Sequence, residues 1–220
     1  MRKKTLAIFG AFAVISSLLA FQRMELNPQF IISDNEVKIG NHIWMTKNLN
    51  VDRFRNGNLI PLASTNEEWL KAANAKQPAY CYYNNNPENG KSFGKLYNRY
   101  AIDDPRGLAP SGWHVSLDEE WRELAEISGG YINLGLILKS EAGWNDNGNG
   151  KNNLGFSALP GGLRQYEGDF VGLGDEAGWW TGADQVTTGV WKYSLSSYDN
   201  DLSRTSGWEI TGMSVRCVKN

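Results

Sequence analysis

Apolar residues recur along the chain in short runs, most of them ending at Gly, Asn or Pro. Val37-Lys38-Ile39 and His42-Ile43-Trp44-Met45 flank Gly40-Asn41, which reads as two strands around a two-residue hairpin turn. Ser64 followed by Glu67, then Trp69, Leu70, Ala72 and Ala73, has the form of a capping box opening a short amphipathic helix that ends near Asn74. Ser116 and Glu119 repeat the device before Leu117, Trp121, Leu124 and Ala125, with Gly129-Gly130 as the stop. Ala79 to Tyr83 reads as a strand and Asn84-Asn85-Asn86-Pro87 as the loop after it. Beyond Trp144 only strand-like runs remain, over Leu154 to Leu159, Gly178 to Thr181, Val190 to Leu195 and Met213 to Val218. Helices early and strands late predict an α+β domain with two short helices, small antiparallel sheets and long Gly/Asn-rich loops.

Composition narrows the class. The chain has 220 residues, 41% hydrophobic, with a formal net charge of −2. That suits one globular domain and excludes a disordered or purely coiled-coil chain. With 24 Gly and 22 Asn, long helices should be few. Nine Trp, nine Tyr and eight Phe supply the core. No basic run occurs beyond Arg2-Lys3-Lys4, so nucleic acid is not an expected partner.

Those three basic residues precede an apolar stretch from Leu6 to Ala20, the pattern of a secretory signal. The expected organisation is a signal peptide over 1–20, a flexible leader over 21–35 and a single domain over 36–220. A membrane partner enters only if the signal stays uncleaved as an anchor. The apolar run is shorter than the roughly 20 residues that span a bilayer. The expected location is therefore exported, whether extracellular, cell-surface or periplasmic. The two cysteines, Cys81 and Cys217, form one disulfide in an oxidising compartment or remain as two buried thiols. With only His42 and His114 beside them, the ligand set for zinc is missing.

Familiar catalytic motifs are absent: no Gly-x-Ser-x-Gly elbow, no phosphate-cradling loop ending in Lys-Ser/Thr, no His-Glu-x-x-His. Asn145, Asn147 and Asn149 with Asp146 place oxygen ligands on a Gly-rich loop that would accept calcium, and Asp199-Asn200-Asp201 is a second such cluster. As a helix-loop-helix calcium loop the first fails, because Phe156 stands where a bidentate Glu is needed. Both also read as ordinary turns. Trp179 and Trp180 are adjacent, so on a strand one ring faces outward and offers a sugar-stacking platform.

Val37-Lys38-Ile39-Gly40-Asn41-His42-Ile43-Trp44-Met45-Thr46-Lys47-Asn48-Leu49 resembles the opening signature of the Fibrobacter succinogenes major paralogous domain. Gly94 to Asn98, Pro110 to Val115 with Glu120-Trp121, Leu138 to Ser140, Gly155 to Gly162 with Arg164, and Ser214 to Cys217 resemble its later blocks in order. The resemblance implies an exported or surface-anchored bacterial protein with a fold similar to C-type lectins and formylglycine-generating enzymes. It brings no established activity. Many members carry Cys where Ala109 stands, as partner to the final Cys; this chain departs there, leaving Cys81 to pair with Cys217. Trp144-Asn145-Asp146 spells a tripeptide that precedes a sugar-binding strand in calcium-dependent lectins, but the Cys usual after it is missing.

The leading expectation is a non-enzymatic, lectin-like binding or adhesion module contacting glycan or surface protein through loops between 141 and 208. Trp180, Trp144 and Arg164 would give planar contacts, and Asp146, Asn152 and Asp175 hydrogen bonds. The alternatives are an enzyme on the same fold and a structural envelope subunit.

Overall fold

The computed structural model describes residues 31–33, 35–183, 191–206 and 210–220. The expected signal over 1–20 and Val190 lie outside the described residues. In chain order the first half gives β1 (Ile31–Ser33), β2 (Glu36–Ile39), β3 (His42–Met45), α1 (Asn66–Asn74), β4 (Tyr80–Cys81), α2 (Pro87–Phe93), β5 (Leu96–Tyr97), α3 (Arg99–Ile102) and β6 (Trp113–Val115). The second half gives α4 (Asp118–Ile127), α5 (Leu134–Leu138), β7 (Gly161–Arg164), β8 (Phe170–Leu173), β9 (Glu176–Trp180), β10 (Trp191–Ser196), β11 (Ser203–Ser206), β12 (Ser214–Val215) and β13 (Cys217–Lys219).

The Gly40-Asn41 hairpin forms, with Ile39 opposite His42 and Val37 opposite Trp44. Its strands belong to an antiparallel sheet of order β1-β2-β3-β13-β6. β1 comes from the stretch expected to be a flexible leader; Ile31 pairs with Val37. The second sheet has order β11-β10-β9-β7-β8, with β12 running parallel to β9. Strands β4 and β5 form a third, two-stranded sheet. The molecule is thus α+β, with few helices and small, mostly antiparallel sheets.

Both amphipathic helices form one residue later than the Ser-Glu spacing places them. In α1 the cap is Thr65: its Oγ1 accepts from Glu68 N at 3.1 Å, and Glu68 Oε2 accepts from Thr65 N at 3.2 Å. In α4 Glu120 reaches back to Leu117 N at 2.8 Å. Ser116 instead accepts from Trp121 Nε1 at 2.9 Å, fixing the ring that faces the core. Among the described residues three short α-helices and a 3₁₀ turn over Tyr83–Asn85 go beyond the two helices expected. One of them, α2, starts at the Asn86-Pro87 pair read as loop: Asn86 caps Glu88 N and Pro87 takes the first turn. Leu154 to Leu159 is not a strand. Leu154, Phe156 and Ala158 are buried in alternation, but Gly155 and Ser157 have φ of 70° and 56°, left-handed turns at every second residue that break an extended run.

The core is aromatic. Trp121 stacks on Tyr193 at 4.8 Å, while Trp44 meets Trp121 edge-on at 5.1 Å and Phe156 at 5.6 Å. Cations are buried within it. Arg216 donates to Met45 O, Phe156 O and Asn48 Oδ1 with its guanidinium 4.3 Å from the Phe156 ring. Lys139 donates to Ser196 O and Asp199 O beneath the Trp144 ring. These cations are solvated by carbonyls and ring faces instead of carboxylates. Burial pushes Arg216 down to about 9, which still leaves it charged at neutral pH.

Candidate functional site

Strand β10 alternates cleanly: Tyr193 and Leu195 are buried, and Lys192, Ser194 and Ser196 take the opposite face. On that face Ser194 stands opposite Gly178 of β9 and Ser203 of β11, Ser196 opposite Glu176, and Lys192 opposite Thr205. Gly178 has no side chain, so the sheet dips there to a floor of Leu163 and Met213, and the result is a groove of about 230 Å³. Lys192 and Ser196 are four residues apart, which separates the cationic and Glu176 ends of the groove by about 13 Å. Among the described residues the side chains of Lys192, Ser194, Ser203 and Thr205 make no hydrogen bond or ion pair, so these donors and acceptors face solvent. The Ser196 hydroxyl accepts from Tyr198 N at 3.1 Å.

A second polar cluster joins both histidines. Glu120, nearly buried on α4, accepts from His114 Nε2 at 2.8 Å and lies 3.5 Å from His42 Nδ1. His42 Nε2 reaches Glu123 at 2.8 Å, and His114 Nδ1 faces Asn220 Oδ1 at 2.8 Å. The Glu120 carboxylate foremost holds the His114 pKa above its ordinary value. The cluster clamps β3, β6 and α4 together.

The Fibrobacter succinogenes major domain model matches residues 37–219. The chain belongs to that family. No curated protein and no solved structure matches it. In this Fibrobacter succinogenes major domain, the blocks that identified the family are its packing machinery. Trp44, Trp121 and Phe156 form the aromatic core, Asn48 accepts from Trp179 Nε1 and Arg216, and His114 and Glu120 build the clamp. Cys217 of the last block sits in the core cluster that also holds Ala109, whereas Cys81 belongs to another cluster with Trp69 and Leu96.

The expected disulfide is therefore corrected: Cys81 and Cys217 are free and fully buried thiols. Burial pushes Cys81 up to about 11 and Cys217 up to about 12, the opposite of a reactive thiolate.

The expected outward-facing Trp180 is also corrected. Its ring is 0% exposed and donates to Tyr97 O at 3.0 Å; Trp179, on the other face, is equally buried. At Trp179 and Trp180 both faces of strand β9 are covered, so alternation sends neither ring to solvent. Trp144 is buried beside Lys139 and donates to Ala158 O. Arg164 is wholly buried 4.8 Å from the rings of both Trp69 and Phe170. Asn152 spends its side chain on Ser157. Asp146 is exposed, and Asp175 accepts from Asn145 Nδ2 and Ser197 Oγ. The structure thus brings Trp144, Asn145 and Asp175 into one neighbourhood and sets Arg164 apart beside α1.

Of the calcium candidates, Asn145 turns its amide nitrogen to Asp175 and Asn149 Oδ1 accepts from Trp144 N, while Asn147 is exposed. Among the described residues no group of three or more His, Cys, Asp or Glu is placed to hold a metal. The groove residues escaped sequence reasoning because Ser, Thr and Lys carry no motif. The period-two alternation of Lys192, Ser194 and Ser196 was the available signal.

Proposed function

We propose that this chain is an exported, non-enzymatic binding or adhesion module of the bacterial envelope with a C-type-lectin-like arrangement, and that its ligand is glycan. One observation carries the reading: the groove over β9, β10 and β11, where hydroxyls without partners among the described residues lie between Lys192 and Glu176. Polyhydroxylated ligands exchange hydrogen bonds with such a surface at many points, each weak, which favours repeated contacts over a single tight pocket. Export rests on the charged-then-apolar pattern of residues 1–20. The high pKa of both buried thiols weighs against a thiol-based enzyme.

The test is a glycan array probed with and without calcium, using the wild type, Gly178→Ala and Lys192→Ala. An added Cβ at Gly178 meets Met213 at 3.6 Å and Leu163 at 3.8 Å, ordinary contacts, so the variant fills the groove floor without disturbing the sheet. Selective glycan binding lost in both variants is the expected result. Binding that survives both, or that requires calcium, contradicts this groove as the site.

A further inference from the structure

A cleft of about 410 Å³ opens between the 99–117 stretch and the chain leaving β9 at Gly182-Ala183, away from the hydroxyl groove. Its walls are mostly apolar, from Leu108, Ala109, Val115 and Leu117. The one carboxylate among its lining residues is already taken: Asp103 receives Nε of Arg99 at 2.7 Å and Nη2 at 2.6 Å. Arg55 has no such partner among the described residues. Its backbone N donates to Gly107 O at 2.8 Å, Nε to Ala109 O at 3.0 Å and Nη2 to Trp113 O at 2.9 Å. The guanidinium is therefore held still with three of its five N–H groups unspent. His114 stands beside it with its ring nitrogens facing Glu120 Oε1 and Asn220 Oδ1, so the charge it takes up on protonation sits against the Glu120 carboxylate. Glu120 balances that charge, so among the described residues the excess positive charge of the cleft belongs to Arg55.

We propose that this cleft binds a small amphipathic carboxylate, with the carboxylate on the Arg55 guanidinium and an apolar body against Leu108, Val115 and Leu117. A guanidinium fork matches a carboxylate in two parallel hydrogen bonds, and one already immobilised by backbone carbonyls loses little freedom when it binds. Arg55 itself is exposed, so the apolar walls act on the body of the ligand and not on the salt bridge, and that contact selects against bare anions.

The test is calorimetric titration of the full chain with phenylacetate, phenylacetamide, acetate and glucuronate. Saturable binding of phenylacetate is expected, at least about tenfold tighter than phenylacetamide for the charge and than acetate for the apolar body. Glucuronate should follow acetate, which sets the site apart from sugar recognition. Arg55→Gln should weaken phenylacetate about tenfold. Because Arg55 also ties down a loop, Ala183 provides the second probe: it is exposed at the cleft mouth, so Ala183→Asp should weaken binding and Ala183→Lys should not, with folding intact. Lys71→Gln on the outer face of α1 serves as the neutral control. The proposal is overturned by equal affinity for acid and amide, by acetate matching phenylacetate, by an unchanged Ala183→Asp variant, or by no binding at about 10 mM.

Discussion

Replacing Arg164 with Met separates a binding role from a structural one. Nε donates to Gly168 O at 3.0 Å, Nη1 to Ala63 O at 3.0 Å, and Nη2 to Thr65 O at 2.9 Å and Asn66 Oδ1 at 3.0 Å. Thr65 is exposed and water can replace its partner, but Ala63 and Gly168 are buried, so two carbonyls are orphaned. Each orphan costs about 1–3 kcal/mol. The lost contacts with Trp69 and Phe170 add about 0.5–1 kcal/mol each. Met preserves most of the stem packing, and removing a lone cation from the interior returns part of the loss. The net is a destabilisation of about 3 kcal/mol, or a fall in Tm of about 6–12 °C for a chain of this size. Urea and thermal unfolding followed by circular dichroism measure it, with Arg164→Lys falling between Met and wild type because an ammonium reaches fewer carbonyls. A Met variant within about 0.5 kcal/mol of wild type would refute the carbonyl cross-link, since that is the range of an ordinary surface substitution.

Other consequences are as direct. Because the His114 pKa is raised in the folded state, its stabilising contribution is complete below the unfolded value of about 6.5 and is lost as pH rises through the folded one. Urea midpoints between pH 6 and 9 should fall accordingly, and Glu120→Gln should flatten the trend; equal slopes in both proteins would dissociate the histidine from the carboxylate. Native protein should leave a thiol reagent unconsumed at pH 8 and react at both cysteines once denatured without reductant, whereas missing thiols in the denatured chain would mean a disulfide. Trp180→Ala should lose about 3–5 kcal/mol and threaten the fold, so an intact, stable variant would contradict the buried position of the ring.

Much of the architecture is legible in the order of residues, and the exceptions share physical causes. The hairpin at Gly40-Asn41 is local chemistry and is found where expected. Helices α1 and α4 are shifted by one residue because Glu68 and Glu120, not their neighbours Glu67 and Glu119, reach back to the cap. The 154–158 stretch has a strand's burial alternation without its backbone, since burial alone does not fix φ. Arg164 reads as a ligand residue because a charged side chain in a sequence does not disclose that carbonyls will surround it, as they also surround Arg216 and Lys139. Trp180 departs from expectation for the same reason: alternation tells which face a ring takes, and only the tertiary fold tells whether that face is covered.

Strand β13 lies between β3 and β6, so Trp44, paired with Val37 on one side, finds its neighbour on the other side only at Val218. Ribosomes add about 5–20 residues per second, so the first hairpin exists for on the order of ten seconds before its partner strand is made. During that interval Val37, Ile39 and Trp44 have no completed core to enter, and an open strand edge waits beside them. A nascent chain of this design stays pliable until its last strand emerges, and its folding yield should depend on what shields that edge in the meantime.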